Sequence, residues 1–269
     1  MSGTESPPLP SPSPSPPKMI FIVPYRDRPM QLAFFKRHMK YILEDIPKED
    51  YRIMIIHQCD KRSFNRGALK NIGFLIARKL YPSNYKDITL VFNDLDTMPY
   101  IKNFLSYTTE PNIVKHFYGV SFTLGGIFSI KAGDFEKING FPNFWAWGYE
   151  DNLINTRVKN AKMQIDRSVF YPMHDINIIH LNDGTIRNVN SSEFKRYEKK
   201  TCEGFLSISQ IAYQFEEEYM VNITNFNTGI PENMATRNTY DLKNGTTPFR
   251  PKRKYTTASM NINAPATQR

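Results

Sequence analysis

The chain has 269 residues, 40% of them hydrophobic and 13% aromatic, enough for one large domain with tails and too apolar for a disordered chain. Its net charge of +9 favours acidic partners such as nucleic acid, an anionic membrane surface or a phosphorylated small molecule. Two cysteines far apart, Cys59 and Cys202, argue against a disulfide framework and a thiolate metal cluster, and no run reaches the roughly 20 apolar residues that span a bilayer.

Residues 1–18 are Pro/Ser low complexity and read as a disordered tail; they lack the basic and apolar regions of a signal peptide. Order is expected from Met19, where MIFIV forms a buried strand that Pro24 ends, just before Arg26 and Arg28. Pro29 suits a first helical turn, and Leu32, Phe35, Met39, Ile42 and Ile46 recur at helical spacing. YRIMIIHQ is a second strand. Asn65 is a candidate N-cap for a helix with Leu69, Ile72, Ile76 and Leu80 on one stripe. ITLVFND is a third strand leading into Asp94-Leu95-Asp96. Strands alternating with helices imply a parallel α/β sheet, with ligands beyond the carboxyl ends of its strands.

Farther on, short strands are predicted over 117–122 and 126–130, around Gly125-Gly126, and a short helix around Asp134–Asn139. The segment FPNFWAWGYEDN (141–152) holds both tryptophans, then Gly148 and the adjacent acids Glu150 and Asp151, which open a further helix. It reads equally as a buried aromatic turn or as a sugar platform beside a base. Beyond about residue 240 the chain is polar and basic, and a disordered tail is expected over 241–269.

Asp94 and Asp96, two apart at a strand end, would project to one side and could hold a hard divalent cation. An Asp-rich turn is the competing reading. Arg26, Arg28 and Arg66 on the same edge suit a diphosphate, because guanidinium pairs with phosphate oxygens through two parallel hydrogen bonds. His180 is a candidate partner for Asp96, with His174 competing; imidazole suits Mn²⁺ better than Mg²⁺. Asp151 in a first helical turn would be kept ionised by the helix dipole, as a general base requires.

In collinear order, VPYRDR (23–28), FNRGALKNIGF (64–74), VFNDLD (91–96), GG (125–126), INGFPNFWAWGYED (138–151) and IIHLND (178–183) resemble the beta-1,4-galactosyltransferases. That is a metal-dependent, inverting family with a GT-A, Rossmann-like fold: a mostly parallel sheet flanked by helices, in one domain, here spanning 19–240. The chondroitin-type N-acetylgalactosaminyltransferases are similar more distantly, through WGxED. The resemblance implies a UDP-sugar donor and a glycan, glycoprotein or glycolipid acceptor. Pro24, Arg26, Arg28, Phe64, Arg66, Asp94 and Gly126 would line the UDP pocket. Asp96 and His180 would bind Mn²⁺, with Asn177, Asn182 or His174 as third ligand. Trp147 would close over the donor with Gly148 as its hinge, Glu150 would contact the acceptor, and Asp151 would be the catalytic base. Asn152 and Thr123 depart from the family pattern and leave acceptor and donor sugar open. The resemblance places the protein in a Golgi or secretory lumen if a membrane anchor preceded it, and in the cytoplasm if the chain is complete. The rival readings are a UDP-sugar-binding protein without catalysis and a basic nucleic-acid-binding module, for which no recognised motif is present.

Overall fold

The computed structural model describes residues 15–249 except 183, 217–218 and 245–247. The expected tails lie outside the described residues over 1–14 and 250–269. In chain order the elements are β1 (Met19–Tyr25), α1 (Pro29–Ile42), β2 (Tyr51–Gln58), α2 (Arg66–Leu80), β3 (Thr89–Asn93), β4 (Thr97–Pro99), β5 (Ile113–Gly119), β6 (Ile127–Lys131), α3 (Ala132–Lys137), α4 (Glu150–Asn160), β7 (Gln164–Asp166), β8 (Tyr171–Pro172), β9 (Ile178–His180), β10 (Ile186–Asn190), α5 (Ser191–Glu198), β11 (Ser209–Phe215), β12 (Met220–Asn227) and β13 (Arg237–Asp241).

Every residue of β1 is buried, because helices cover both faces of its sheet. On one face Ile20, Ile22, Met54 and Ile56 pack with the apolar stripe of α2; on the other Phe21, Val23, Ile53 and Ile55 meet Phe35 and Met39 of α1. The nine-stranded sheet runs β11-β12-β2-β1-β3-β6-β5-β7, with β8 beside β5. Strand β1 is parallel to both β2 and β3, so the chain order reverses at β1 and opens a crevice beyond its carboxyl end.

The sheet is mostly parallel but not uniformly so. β6 runs antiparallel to both β3 and β5. The connection from β5 to β6 is a loop, too short for the crossover that a parallel pair requires. The predicted strand at 117–122 is observed at 113–119: Gly119, at φ +138°, ends it, and Val120 and Phe122 are exposed. The predicted helix at 134–139 begins at Ala132 instead. Asp94 and Asp96 do not extend a strand. β3 stops at Asn93, and the two acids lie in a turn closed by the Thr97 amide donating to the Asp94 carbonyl at 3.2 Å. Two small antiparallel sheets, β4–β9 and β10–β13, border the crevice. Contacts continue past residue 240, where the Leu242 amide donates to the Thr185 carbonyl at 2.9 Å.

Candidate active site

A cavity of about 750 Å³ opens at this crevice, a size suited to a nucleotide-sized ligand. Pro24, Arg26 and Arg28 reach it from the end of β1, and Phe64 and Arg66 from the start of α2. Asp94 and Asp96 come from the turn after β3, Gly126 from the turn before β6, and Trp147, Asp151 and His180 from farther along the chain. Two predicted site residues stand apart. Gly148 does not line the cavity; its φ of +117° and the open space around it suit a pivot beside Trp147. Glu150, expected to meet an acceptor, is buried instead, with its Oε1 3.0 Å from Arg66 Nη1.

The centre of the site is a charge cluster. Asn65 caps α2, its side chain accepting from the Ala68 amide at 2.9 Å, and so fixes where the helix begins. Arg66 and Lys70, one turn apart, therefore face the same way. Arg66 Nη2 donates to Asp94 Oδ1 at 2.6 Å and lies 3.9 Å from Asp151 Oδ2. Lys70 Nζ donates to Asp151 Oδ1 at 3.3 Å and lies 3.7 Å from Asp94. Burial raises the Asp151 carboxyl to about 6, opposed by Lys70 and Arg66 and assisted by Glu150 and Asp94. Asp94 moves the other way: Arg66 and Lys70 outweigh its burial and hold it below the usual carboxylate range. Two acids on one cavity wall are thus separated in basicity, with the more basic one in the first turn of α4.

Arg26 and Arg28 are less symmetrical than their spacing suggests. Arg26 donates to the Arg62 carbonyl and to Asp27 Oδ2 at 3.1 Å, whereas Arg28 Nη1 donates to Asp96 Oδ2 at 3.2 Å.

Strands β4 and β9 bring the proposed metal ligands to one wall: Thr97 pairs with His180, and the Leu181 amide donates to the Asp96 carbonyl at 2.8 Å. The Tyr118 hydroxyl is 3.3 Å from His180 Nδ1. A hydrogen bond there would fix the ring and leave Nε2 as the ligating nitrogen, the usual arrangement for a metal-bound histidine. His174 stacks on His180 with ring centroids 5.5 Å apart. One carboxylate with imidazoles fits a Mn²⁺-type ion that keeps positions for phosphate and water oxygens. Among the described residues, no group of three His, Cys, Asp or Glu side chains is placed to hold a metal by itself.

The tryptophans divide between the two readings of their segment. Trp145 is buried, stacked on Phe226 at 5.7 Å with its Nε1 donating to the Ile230 carbonyl at 3.0 Å. Trp147 is half-buried on the cavity wall, its amide donating to the Asn188 carbonyl of β10 at 2.8 Å.

The sequence assigned no role to Lys70, Gly125 or His116, although Lys70 and Gly125 lie within the collinear motifs. A side chain at Gly125 would place its Cβ 2.3 Å from Asp151 Oδ2. The Gly125 carbonyl lies 3.1 Å from His116 Nε2. Burial and Arg167 push His116 down to about 4, so it is neutral, and with Arg167 Nε donating to its Nδ1 at 3.1 Å the ring proton sits on Nε2. The spacing of Arg66 and Lys70 on one helical face was the signal available for Lys70.

The profile described as the N-terminal region of glycosyl transferase group 7 matches residues 7–108, and that described as the N-terminal domain of galactosyltransferase matches 113–180. Xylosylprotein 4-beta-galactosyltransferase of Caenorhabditis elegans is 32% identical over 160 residues, covering 56% of this chain and 53% of the relative. Beta-1,4-galactosyltransferase 1 of Mus musculus is 34% identical over 161 residues, covering 56% and 39%. The chain thus spans about half the length of the curated relatives it matches, or less. The crystal structure of the catalytic domain of Drosophila beta1,4galactosyltransferase 7 with xylobiose superposes with a TM-score of 0.59 at 21% identity, covering 77% of this chain and 94% of that one. A point mutant of the same enzyme, in complex with manganese, UDP-Gal and xylobiose, gives 0.56. That likeness shows the shared fold.

Proposed function

The chain belongs to the glycosyl transferase group 7 family, and we propose that it transfers galactose from UDP-galactose to a hydroxyl of a glycan acceptor with inversion. The observation that carries this reading is Asp151: a carboxylate of raised basicity in a first helical turn, on the wall of a cavity also lined by Asp94, Asp96 and two arginines beyond a strand end.

Asp151 accepts the proton of the acceptor hydroxyl as that oxygen bonds to the anomeric carbon. The bond from that carbon to the diphosphate breaks on the opposite face, and UDP leaves with the electron pair. Arg26 and Arg28 orient the diphosphate. Trp147, pivoting at Gly148, covers the donor and excludes water that would hydrolyse it. Asp96 and His180 would hold Mn²⁺, with His174 or Asn182 on the same cavity as third ligand; Asn177 does not line that cavity, and its side chain donates to Asp175 Oδ1 at 2.9 Å. When bound, the ion supplies charge stabilisation for the departing diphosphate. Drosophila beta1,4galactosyltransferase 7, crystallised with manganese, UDP-Gal and xylobiose, supports this donor and metal by analogy.

The test is UDP release from UDP-galactose, UDP-N-acetylgalactosamine and UDP-glucose with a panel of sugar acceptors, with and without Mn²⁺. Mn²⁺-dependent release, fastest from UDP-galactose and lost in Asp96→Ala, is expected. No release and no UDP binding with any donor would refute the reading.

A further inference from the structure

Lys70 is the most buried cation of the described site, its side chain 1% exposed. An ammonium withdrawn from water is stable only when paired. Its chain comes from the inward face of α2, with Nζ 4.6 Å from the Phe141 ring centroid. Its carboxylate neighbours are Asp151 at 3.3 Å and Asp94 at 3.7 Å. A lysine whose task was only to tie α2 to α4 could reach a surface acid. This one instead ends between two carboxylates of the reaction cavity.

We propose that Lys70 is a positioning residue for the reaction: it fixes Oδ1 of Asp151 and keeps that carboxylate ionised among its acidic neighbours, so that the base is ready when the acceptor arrives. The inference rests on the transferase reading given above. The charge balance shows why a second cation is needed. Facing Asp151 are Arg66 and Lys70 from α2, Glu150 from α4 and Asp94 from the turn after β3. Gly125, on the β5–β6 connection, adds no charge and leaves the space beside Oδ2 that a side chain there would occupy. Arg66 is already engaged with Asp94 at 2.6 Å and Glu150 at 3.0 Å, and only its far edge comes within 3.9 Å of Asp151. Lys70 is thus the nearest positive charge to the base. Its pull acts against burial in setting the basicity of Asp151. Without it, three acids would share one guanidinium, and the proton that Asp151 should take from the acceptor would already be in place at neutral pH.

The experiment compares the parent with Lys70→Met, which keeps the length of the side chain and its packing on Phe141 while removing the charge. In kcat against pH, the acid limb of the variant should move up by at least about one unit, which is a loss of about fivefold or more at pH 6. At pH 9 the two proteins should agree within about threefold, since Asp151 is then ionised in both. An equal loss at every pH, or an unmoved limb, would overturn the proposal and leave Lys70 a structural ion pair. A second readout needs no turnover. With carboxyl-¹³C aspartate, assigned by Asp151→Asn, the Asp151 titration midpoint should rise by about one unit or more in Lys70→Met; a change under about 0.3 would overturn the proposal. In the parent, the ¹⁵Nζ signal of Lys70 should titrate with the same midpoint and stop doing so in Asp151→Asn, which covers a variant that fails to fold. If the parent releases no UDP from any donor, the transferase reading fails while these titrations still decide the role of Lys70.

Discussion

Gly125→Ala is a perturbation whose size can be worked from the structure. Gly125 does not sit at positive φ, so alanine is acceptable to its backbone, unlike at Gly126 with φ +73°. The added methyl would stand 2.3 Å from Asp151 Oδ2 and 2.8 Å from its Cγ. Heavy-atom contacts settle near 3.5 Å, so the carboxylate must retreat by about 1 Å. The turn cannot yield instead, because its carbonyl accepts from the neutral His116 ring at 3.1 Å and the preceding amide, of Leu124, donates to the Asp151 carbonyl at 3.0 Å. A displacement of about 1 Å at a reacting group costs on the order of 100-fold in rate. Initial rates of UDP release should therefore fall about 100-fold in kcat, while calorimetric UDP affinity and the melting temperature stay near the parent's. Parental kcat in a folded Gly125→Ala protein would show that Asp151 is not the base in this position. An equal fall in UDP affinity would show that the turn serves the donor instead.

Asp151→Asn should lower kcat by about 10²–10⁴ while UDP still binds, as loss of a general base does. In the parent, kcat should fall about tenfold per pH unit below about 6, because Asp151 must be ionised and burial holds its carboxyl there. The sign for stability is the reverse. The folded chain holds this proton more tightly than the unfolded one, so the Asp151 contribution is fullest below its ordinary value of 3.8 and is lost as pH rises through about 6; melting with and without Asp151→Asn across that window checks it. Trp145→Ala should cost about 3–5 kcal/mol in denaturant unfolding, since it empties a buried aromatic stack. Trp147→Ala should leave stability within about 0.5 kcal/mol and raise the KM for donor instead.

What the sequence made legible, and what it did not, follows from the range over which each signal acts. β1 is readable because a strand covered on both faces is a continuous apolar run, and α2 because its stripe and its Asn65 cap are local. The collinear motifs carried Arg26, Arg28, Asp94, Asp96, Trp147, Asp151 and His180 to one cavity, as the structure places them. The failures concern partners. The short 120–126 loop makes β6 run against β5, but nothing local says that β6 then pairs with β3, which sets an antiparallel strand inside an otherwise parallel run. Nothing local hides Glu150 and exposes Asp151. In the first turn of one helix adjacent residues point about 100° apart, so only the way α4 is seated in the fold decides which acid lies 3.0 Å from Arg66 and which lines the cavity. Lys70 and Asp151 are 81 residues apart, and each looks ordinary alone: a lysine in a helix and an acid at a helix start. Together, with Arg66, Asp94 and Glu150, they form two cations against three acids in a space largely withdrawn from water. Such a cluster carries one negative charge more than it can neutralise, and that excess falls on the carboxylate with the weakest hold on a cation. That carboxylate is Asp151, which is why it, rather than Glu150 or Asp94, is fitted to take a proton.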